Sequence, residues 1–142
     1  MILVDTPVLV YAAGGSHPLR RPCQRLVLAR RRRRMDAAVS LEVVQEFVWV
    51  RAGRRPRSEA VGLAREYMAL FHVIVATPRE LDLGLELFEH YPRLGSFDCV
   101  LAALVLNRQM DALVSSDQAF GEVPGLPWVD PAGPHLDRLL RP

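Results

Sequence analysis

Four apolar residues, Met1-Ile2-Leu3-Val4, run straight into an aspartate, Asp5. A short apolar run without polar alternation suits a strand buried on both faces, as in a parallel sheet. An acid that closes such a strand needs a partner, because a carboxylate removed from water without one is strongly disfavoured. The rest of the chain must therefore supply neighbouring strands and something to hold Asp5.

Further strand candidates lie at Ala37 to Val39, Phe71 to Ala76, Ala112 to Ser115 and Trp128-Val129. Helical segments fall between them. Val8 to Ala13 follows Pro7, and Pro18 to Arg34 places Leu19, Cys23, Leu26 and Val27 near one face. Ser40 is placed to cap a helix from Leu41 to about Arg51, and Ser58 one from Glu59 to Leu70. Thr77-Pro78-Arg79-Glu80 combines a cap, a first-turn proline and a capping-box glutamate, and starts a helix to about His90. Ser96 is placed to cap an apolar helix from Phe97 to about Gln109, and Pro134 to Leu140 reads as a helical turn. This order predicts an α/β/α sandwich around a short, mainly parallel sheet. With 142 residues, no internal repeat and no boundary, one domain spanning 1–142 is expected.

Composition removes several function classes. All eighteen basic residues are arginine, so phosphate binding of the Walker type and Schiff-base chemistry, which need lysine, are excluded. Cys23 and Cys99 fit no zinc spacing and read as buried thiols. His17, His72, His90 and His135 are dispersed and form no pair. The longest apolar run, Cys99 to Leu106, is too short to span a membrane, and no basic segment precedes a long apolar one. A cytoplasmic protein without membrane contact is expected.

In open α/β sheets, ligands gather at the carboxyl ends of the strands. Asp5 ends the first strand, and Asp117 follows the Ala112 to Ser115 strand. Asp98 falls in the first turn of its helix, and Glu46 lies at the edge of an apolar stripe with Val43 and Phe47. Four carboxylates brought together repel and raise one another's pKa, and a divalent cation removes that penalty. Hard oxygen ligands suit Mg²⁺ or Mn²⁺ better than zinc. Such a site polarises a phosphoryl oxygen and activates a water, and two ions about 3.5–4 Å apart clamp both attacking and leaving oxygens. Each acid also has a plain structural role open to it: Asp98 at a positive helix end, Asp117 in a turn, Glu46 on a solvated face.

These residues carry a resemblance. Val4-Asp5-Thr6-Pro7-Val8-Leu9-Val10-Tyr11-Ala12 resembles the opening of PIN-domain ribonucleases, in particular the VapC toxins of bacterial toxin–antitoxin modules. Gln45-Glu46-Phe47-Val48, Gly95-Ser96-Phe97-Asp98-Cys99-Val100-Leu101-Ala102-Ala103 and Ser115-Ser116-Asp117-Gln118-Ala119-Phe120 resemble the later acidic motifs, in order and over nearly the whole chain. The resemblance implies a Mg²⁺- or Mn²⁺-dependent endoribonuclease. In it Asp5, Glu46, Asp98 and Asp117 hold the metal, and a metal-activated water attacks the RNA phosphodiester. It also implies a cognate antitoxin and a homodimer. Thr6 and Ser115 are the hydroxyls that support the acids, Ser115 by orienting Asp117. The chain departs from the pattern at Pro7, where many members carry a polar residue, and at Ser115, which replaces a common threonine. At Ala119 many members carry another acid, so one ligand for a second ion is missing.

Two arginine clusters remain. Arg30 to Arg34 suits RNA phosphate, an acidic antitoxin segment or a solvated helix end. Arg51, Arg54, Arg55 and Arg57 follow the Glu46 helix directly, which favours Arg51, Arg54 and Arg55 as RNA contacts. Neither cluster interleaves with aromatics, so base stacking is not indicated there. Tyr11 suits the core or a dimer surface, with stacking on a base as the alternative, and Trp49 and Trp128 read as packing residues. Glu42 shares a helix face with Glu46, as a peripheral acid outside the site. The rival reading is a non-catalytic module of the same fold that binds protein or RNA. A remnant of that kind is expected to have lost an acid, and this chain keeps all four.

Overall fold

The computed structural model describes residues 1–141. β1 (Ile2–Val4) is the centre of a five-stranded parallel sheet with β2 (Ala37–Ser40), β3 (His72–Ile74), β4 (Ala112–Val114) and β5 (Trp128–Val129), in the order β3-β2-β1-β4-β5. Ile2, Leu3 and Val4 are all buried, as a strand with helices on both sides requires. Leu3 pairs in register with Ala38 on one side and Leu113 on the other.

Helices α1 (Thr6–Ala13), α2 (Arg20–Arg31), α3 (Leu41–Ala52) and α4 (Arg57–Leu70) make the connections outward from β1 to β3. The chain then reverses through α5 (Pro78–His90) and α6 (Ser96–Asn107) to reach β4 on the other side of β1. Right-handed crossovers in opposite directions put α5 and α6 on the opposite face from the first four helices. A short 3₁₀ turn over Gln118–Glu122 leads to β5, and α7 (Pro134–Leu139) closes the described chain. The α/β/α sandwich expected from the sequence is the architecture found. Among the described residues no helix is long and apolar enough to cross a membrane.

Most expected caps are present. Ser40 Oγ accepts from the Val43 N–H at 3.2 Å, and Thr77 with Glu80 forms the full capping box. Two caps differ. α4 begins at Arg57 behind Pro56, so Ser58 lies inside the helix; proline presets the entry without a side-chain cap. α6 begins at Ser96 with Gly95 as its cap, and the Asp98 carboxylate reaches back to the Gly95 N–H at 3.2 Å. Cys23 and Cys99 are fully buried free thiols, as expected.

The α5–α6 pair is braced at both levels. Gly84 lets the helices approach so closely that a Cβ there would sit 2.9 Å from Val100 Cγ2. At the end of α6, Arg108 donates to Glu80 at 2.6 and 2.8 Å and to the Val75 carbonyl at 2.7 Å. Asn107 adds a third donor side chain to Glu80 beside Thr77. Glu80 is 1% exposed, and this ring of donors, Arg108 foremost, holds its carboxyl down to about 2. The folded state therefore binds fewer protons than the unfolded chain as pH falls below the usual carboxylate range. The stability from Glu80 is complete at neutral pH and is lost as pH drops from about 4.5 toward 2. Glu80→Gln should destabilise the protein by about 3 kcal/mol at pH 7 by leaving Arg108 unpaired. In denaturant titrations that difference should shrink toward pH 2.

Candidate active site

Strand order places the site. The connections from β1 and β4 leave in opposite directions, so a crevice opens between the carboxyl ends of these adjacent strands. Asp5 stands at the end of β1, and Ser115 and Asp117 follow β4. The β2 end feeds α3, which carries Glu46, and α6 brings Asp98 in its first turn.

Two hydroxyl residues stitch these segments together. The Thr6 N–H donates to Asp5 Oδ1 at 2.7 Å, and its Oγ1 donates to Glu46 Oε2 at 2.5 Å. Ser115 Oγ donates to Asp5 Oδ2 at 2.6 Å and accepts the Asp117 N–H at 3.0 Å. Both hydroxyl residues are buried, so their geometry is fixed. The Ser115 hydroxyl thus contacts Asp117, the residue it is expected to orient, through the backbone N–H, and gives its own proton to Asp5. Asp117 Oδ1 accepts from the Ala119 N–H at 2.9 Å and so caps the 3₁₀ turn.

Burial is graded across the four acids. Asp5 is 3% exposed, Asp98 is half-buried, and Glu46 and Asp117 face solvent. Burial pushes the Asp5 carboxyl up to about 7, with the nearby charges of Asp98 and Glu46 adding to it; the bonds from Ser115 and Thr6 oppose the rise. Asp98 is raised in the same direction, by burial first and then by Asp117 and Glu46. The four anions thus share one electrostatic neighbourhood. None of them pairs with an arginine, a histidine or the amino terminus among the described residues.

That donor set fits a hard divalent cation: oxygen only, anionic and without an internal counter-charge. In the arrangement seen, the carboxylates are held by hydrogen bonds, and no three of the described acidic, cysteine or histidine residues form a ready ligand set. A cation that keeps several waters and takes few carboxylates directly does not require such a set to be preformed.

A profile described as the PIN domain matches residues 2–126. The chain belongs to the PIN-domain family. Within it the chain is 44% identical to "Ribonuclease VapC7" of Mycobacterium tuberculosis, over 99% of this chain and 98% of that one. The chain is therefore of the VapC type, as its motifs suggested. Its fold is similar to a structure of VapBC2 from Rickettsia felis bound to a promoter DNA fragment. There the TM-score is 0.71 at 17% identity, over 92% of this chain and 98% of that one. VapBC-1 from nontypeable Haemophilus influenzae gives the same TM-score at 14% identity, over 94% of this chain and 100% of the other.

Some sequence-predicted contacts fall elsewhere in this PIN domain. The Arg51 guanidinium is 15% exposed and pairs with Glu59, so it is not presented to solvent as an RNA contact. Arg54 and Arg55 are exposed. In the other cluster Arg30 is occupied: it donates to the Leu70 carbonyl at 2.9 Å and faces Asp36, leaving Arg31 to Arg34 on the surface. Trp128 packs as expected, with its indole N–H on the Ser115 carbonyl at 2.9 Å. Trp49 does not: it is 79% exposed.

Glu42, a peripheral acid on sequence grounds, lies close to two of the four acids. It lines a cleft of about 790 Å³ together with Glu46 and Asp98, and its Oε2 is buried without a hydrogen-bond partner. The four-residue spacing to Glu46 was the only signal for it.

The raised Asp5 has a consequence for stability. Its proton binds more tightly in the folded protein than in the unfolded chain, so stability without metal falls as pH rises from about 4 to 7. Asp5→Asn removes that charge while keeping an oxygen for the Thr6 N–H. In EDTA at pH 8 the variant should melt about 3 °C above the unaltered protein, with the difference gone at pH 4. Scanning calorimetry at the two pH values checks it.

Proposed function

We propose that the protein is a Mg²⁺- or Mn²⁺-dependent endoribonuclease, the toxin half of a toxin–antitoxin pair. The observation that carries this reading is the convergence of Asp5, Glu46, Asp98 and Asp117, from four separate segments, at one crevice without a counter-charge. The 44% identity to a protein named as a ribonuclease supports the reaction class.

Asp5 and Asp98 are the inner ligands, since burial makes their charges the ones most in need of a cation. Glu46 and Asp117 complete the pocket from the solvent side, directly or through water. Thr6 holds Asp5 and Glu46 at a fixed separation, and Ser115 fixes Asp5 against the chain at Asp117. When bound, the divalent ion offsets the clustered charge and lowers the pKa of a water for attack on the phosphodiester. The chain needs neither a histidine base nor a lysine. Arg54 and Arg55, exposed beyond the α3 helix, attract the RNA backbone.

The partners follow from the same reading. A toxin–antitoxin complex from Klebsiella pneumoniae has a similar fold, with a TM-score of 0.70 at 19% identity, which supports a cognate antitoxin for this chain. A second copy of the chain completes the assembly, and the substrate places the protein in the cytoplasm.

The test is RNA incubated with the purified protein in Mg²⁺, the same in EDTA, and the Asp5→Asn variant in Mg²⁺. Only the first should cut, and equal cleavage in all three refutes the metal mechanism. Ser115→Ala should lower cleavage by about tenfold to a hundredfold, as loss of a group that orients a metal ligand does. Because the Asp5 carboxyl titrates near 7, protons compete with the cation below that pH. Mn²⁺ titrations by calorimetry should show apparent affinity rising with pH up to about 7 and levelling above it.

A further inference from the structure

Charge is divided unevenly along this chain. Residues 6–71, which contain α1 to α4, hold thirteen arginines against five acids, a net charge of +8. Residues 72–141 hold five arginines against ten acids, a net charge of −5. Like charges gathered in this way repel one another and gain nothing for the fold.

The densest point is the end of α2. Arg30 anchors it, bonded to the Leu70 carbonyl and facing Asp36 just before β2. Arg31 to Arg34 follow, all exposed, and none of them forms an ion pair among the described residues. The helix closes there with two backbone bonds: the Arg34 N–H donates to the Ala29 carbonyl at 3.0 Å, and the Arg33 N–H to the Arg30 carbonyl at 2.9 Å. This closure puts Arg33 in the left-handed region, at φ 55°. Glycine is favoured at that place, because a Cβ there crowds the following carbonyl oxygen. The helix dipole accounts for Arg30 and Arg31 in the last turn. It does not account for Arg33 and Arg34 beyond the helix, or for arginine at a glycine position.

A nucleic-acid backbone does account for them. Side chains on consecutive residues point in different directions, so these guanidinium groups fan out rather than converge on one anion. Successive phosphates suit such a spread, and charge alone binds them. A protein partner asks for a different surface, with aromatic side chains at its centre. The exposed ones, Trp49, Phe88 and Phe97, stand on α3, α5 and α6. The run is also remote from the acids. Asp36, whose carbonyl accepts the Ile2 N–H at 2.9 Å, marks the amino ends of the strands, whereas the four acids gather at the carboxyl ends. The strands between them are about 10–13 Å long. One phosphate therefore cannot serve both places.

We infer that Arg31 to Arg34 form an exosite for the phosphate backbone of RNA, which holds a long or folded substrate while another part of it enters the crevice. The inference rests on the ribonuclease reading for the choice of RNA but is tested by binding, so the two can fail separately.

Binding is read by fluorescence anisotropy on the Asp5→Asn protein in Mg²⁺, with a labelled long hairpin RNA and a labelled short single strand. Arg32→Ala/Arg34→Ala should weaken the hairpin about tenfold to a hundredfold and reduce the steepness of log affinity against log salt by about 1.5. The short strand should lose little, because it fills the crevice without reaching the run. Arg138→Ala/Arg141→Ala removes the same charge elsewhere and should leave hairpin affinity unchanged. Arg33→Gly separates binding from folding: it should raise the melting temperature by about 3 °C while weakening the hairpin. A higher melting temperature with unchanged affinity overturns the role of Arg33. Equal losses in the two double variants assign the attraction to net charge and overturn the exosite, as does unchanged affinity in Arg32→Ala/Arg34→Ala. An equal loss for the short strand merges the run with the crevice and overturns a separate site. A polyglutamate peptide that binds more tightly than the hairpin, and is lost in the same variant, assigns the run to an acidic protein segment instead. Hairpin binding through the run in a protein that never cuts leaves the exosite standing and removes the nuclease reading. Kinetics on the unaltered Asp5 background give the second readout: for the hairpin, the loss in kcat/KM should be carried by KM.

Discussion

The burial of one carboxylate organises this molecule. Asp5 is 3% exposed at the end of the central strand, and nothing cationic in the described chain compensates it. Hydrophobic strands do not end this way for stability, since a neutral residue would fill the same volume without the desolvation penalty. The fold accommodates Asp5 by surrounding it with donors. β1 delivers it to the crevice, Thr6 bonds one oxygen, and Ser115 bonds the other across the β1–β4 seam. Those bonds keep the carboxylate aimed, but they do not cancel the effect of burial, and its affinity for a proton stays high. An acid held in place and short of positive charge has the chemistry that the proposed cation-binding role asks for.

From this follows the division of labour around the crevice. The buried acid is rigid because both oxygens are committed. The exposed acids are held more lightly, Glu46 by the Thr6 hydroxyl and Asp117 by the Ala119 N–H, and are otherwise solvated. The hydroxyls between them transmit the rigid position outward: Thr6 to Glu46, Ser115 to the backbone of Asp117. Replacing Ser115 by a threonine keeps this link, whereas losing the hydroxyl leaves the Asp5 oxygen without a donor. The departure from the family pattern at this position is therefore chemically neutral. Ala119 is 2% exposed and packed in the core, so the missing family acid there leaves apolar packing rather than an unfilled polar site.

Much of this was legible in the sequence, and the gaps have physical causes. The strands showed because a parallel sheet demands continuous apolar runs, and Ile2 to Val4 and Ala112 to Val114 are such runs. Thr77 to Glu80 showed because a capping box is local chemistry. Ser58 and Ser96 misled because a serine next to a helix is an N-cap only if the backbone turns there, and Pro56 and Gly95 took that place. The four acids showed through their position at element ends. Exposure did not. Arg51 and Trp49 sit two residues apart on one helix, yet the arginine folds back onto Glu59 and the tryptophan stands in water. Which of two neighbours is covered depends on α4 packing against α3, a tertiary fact that spacing along α3 does not contain. The orphaned Oε2 of Glu42 was hidden for the same reason.

The brace between α5 and α6 bears on the site although it lies away from it. Asp98 and Phe97 are at the start of α6, and Arg108 is just past its end. A helix anchored at one end by a charged network and along its length by the close Gly84–Val100 approach has little freedom to slide or tilt. Its first turn then presents Asp98 at a fixed height opposite α3. The remaining wall of the cleft, on α3, is set by Ser40 capping from the end of β2, the strand beside β1. Both walls are thus referenced to the same sheet. That common reference is what allows two helices far apart in sequence to place the carboxylates of Glu46 and Asp98 on the two sides of one opening, with spacing that side-chain motion alone would not preserve.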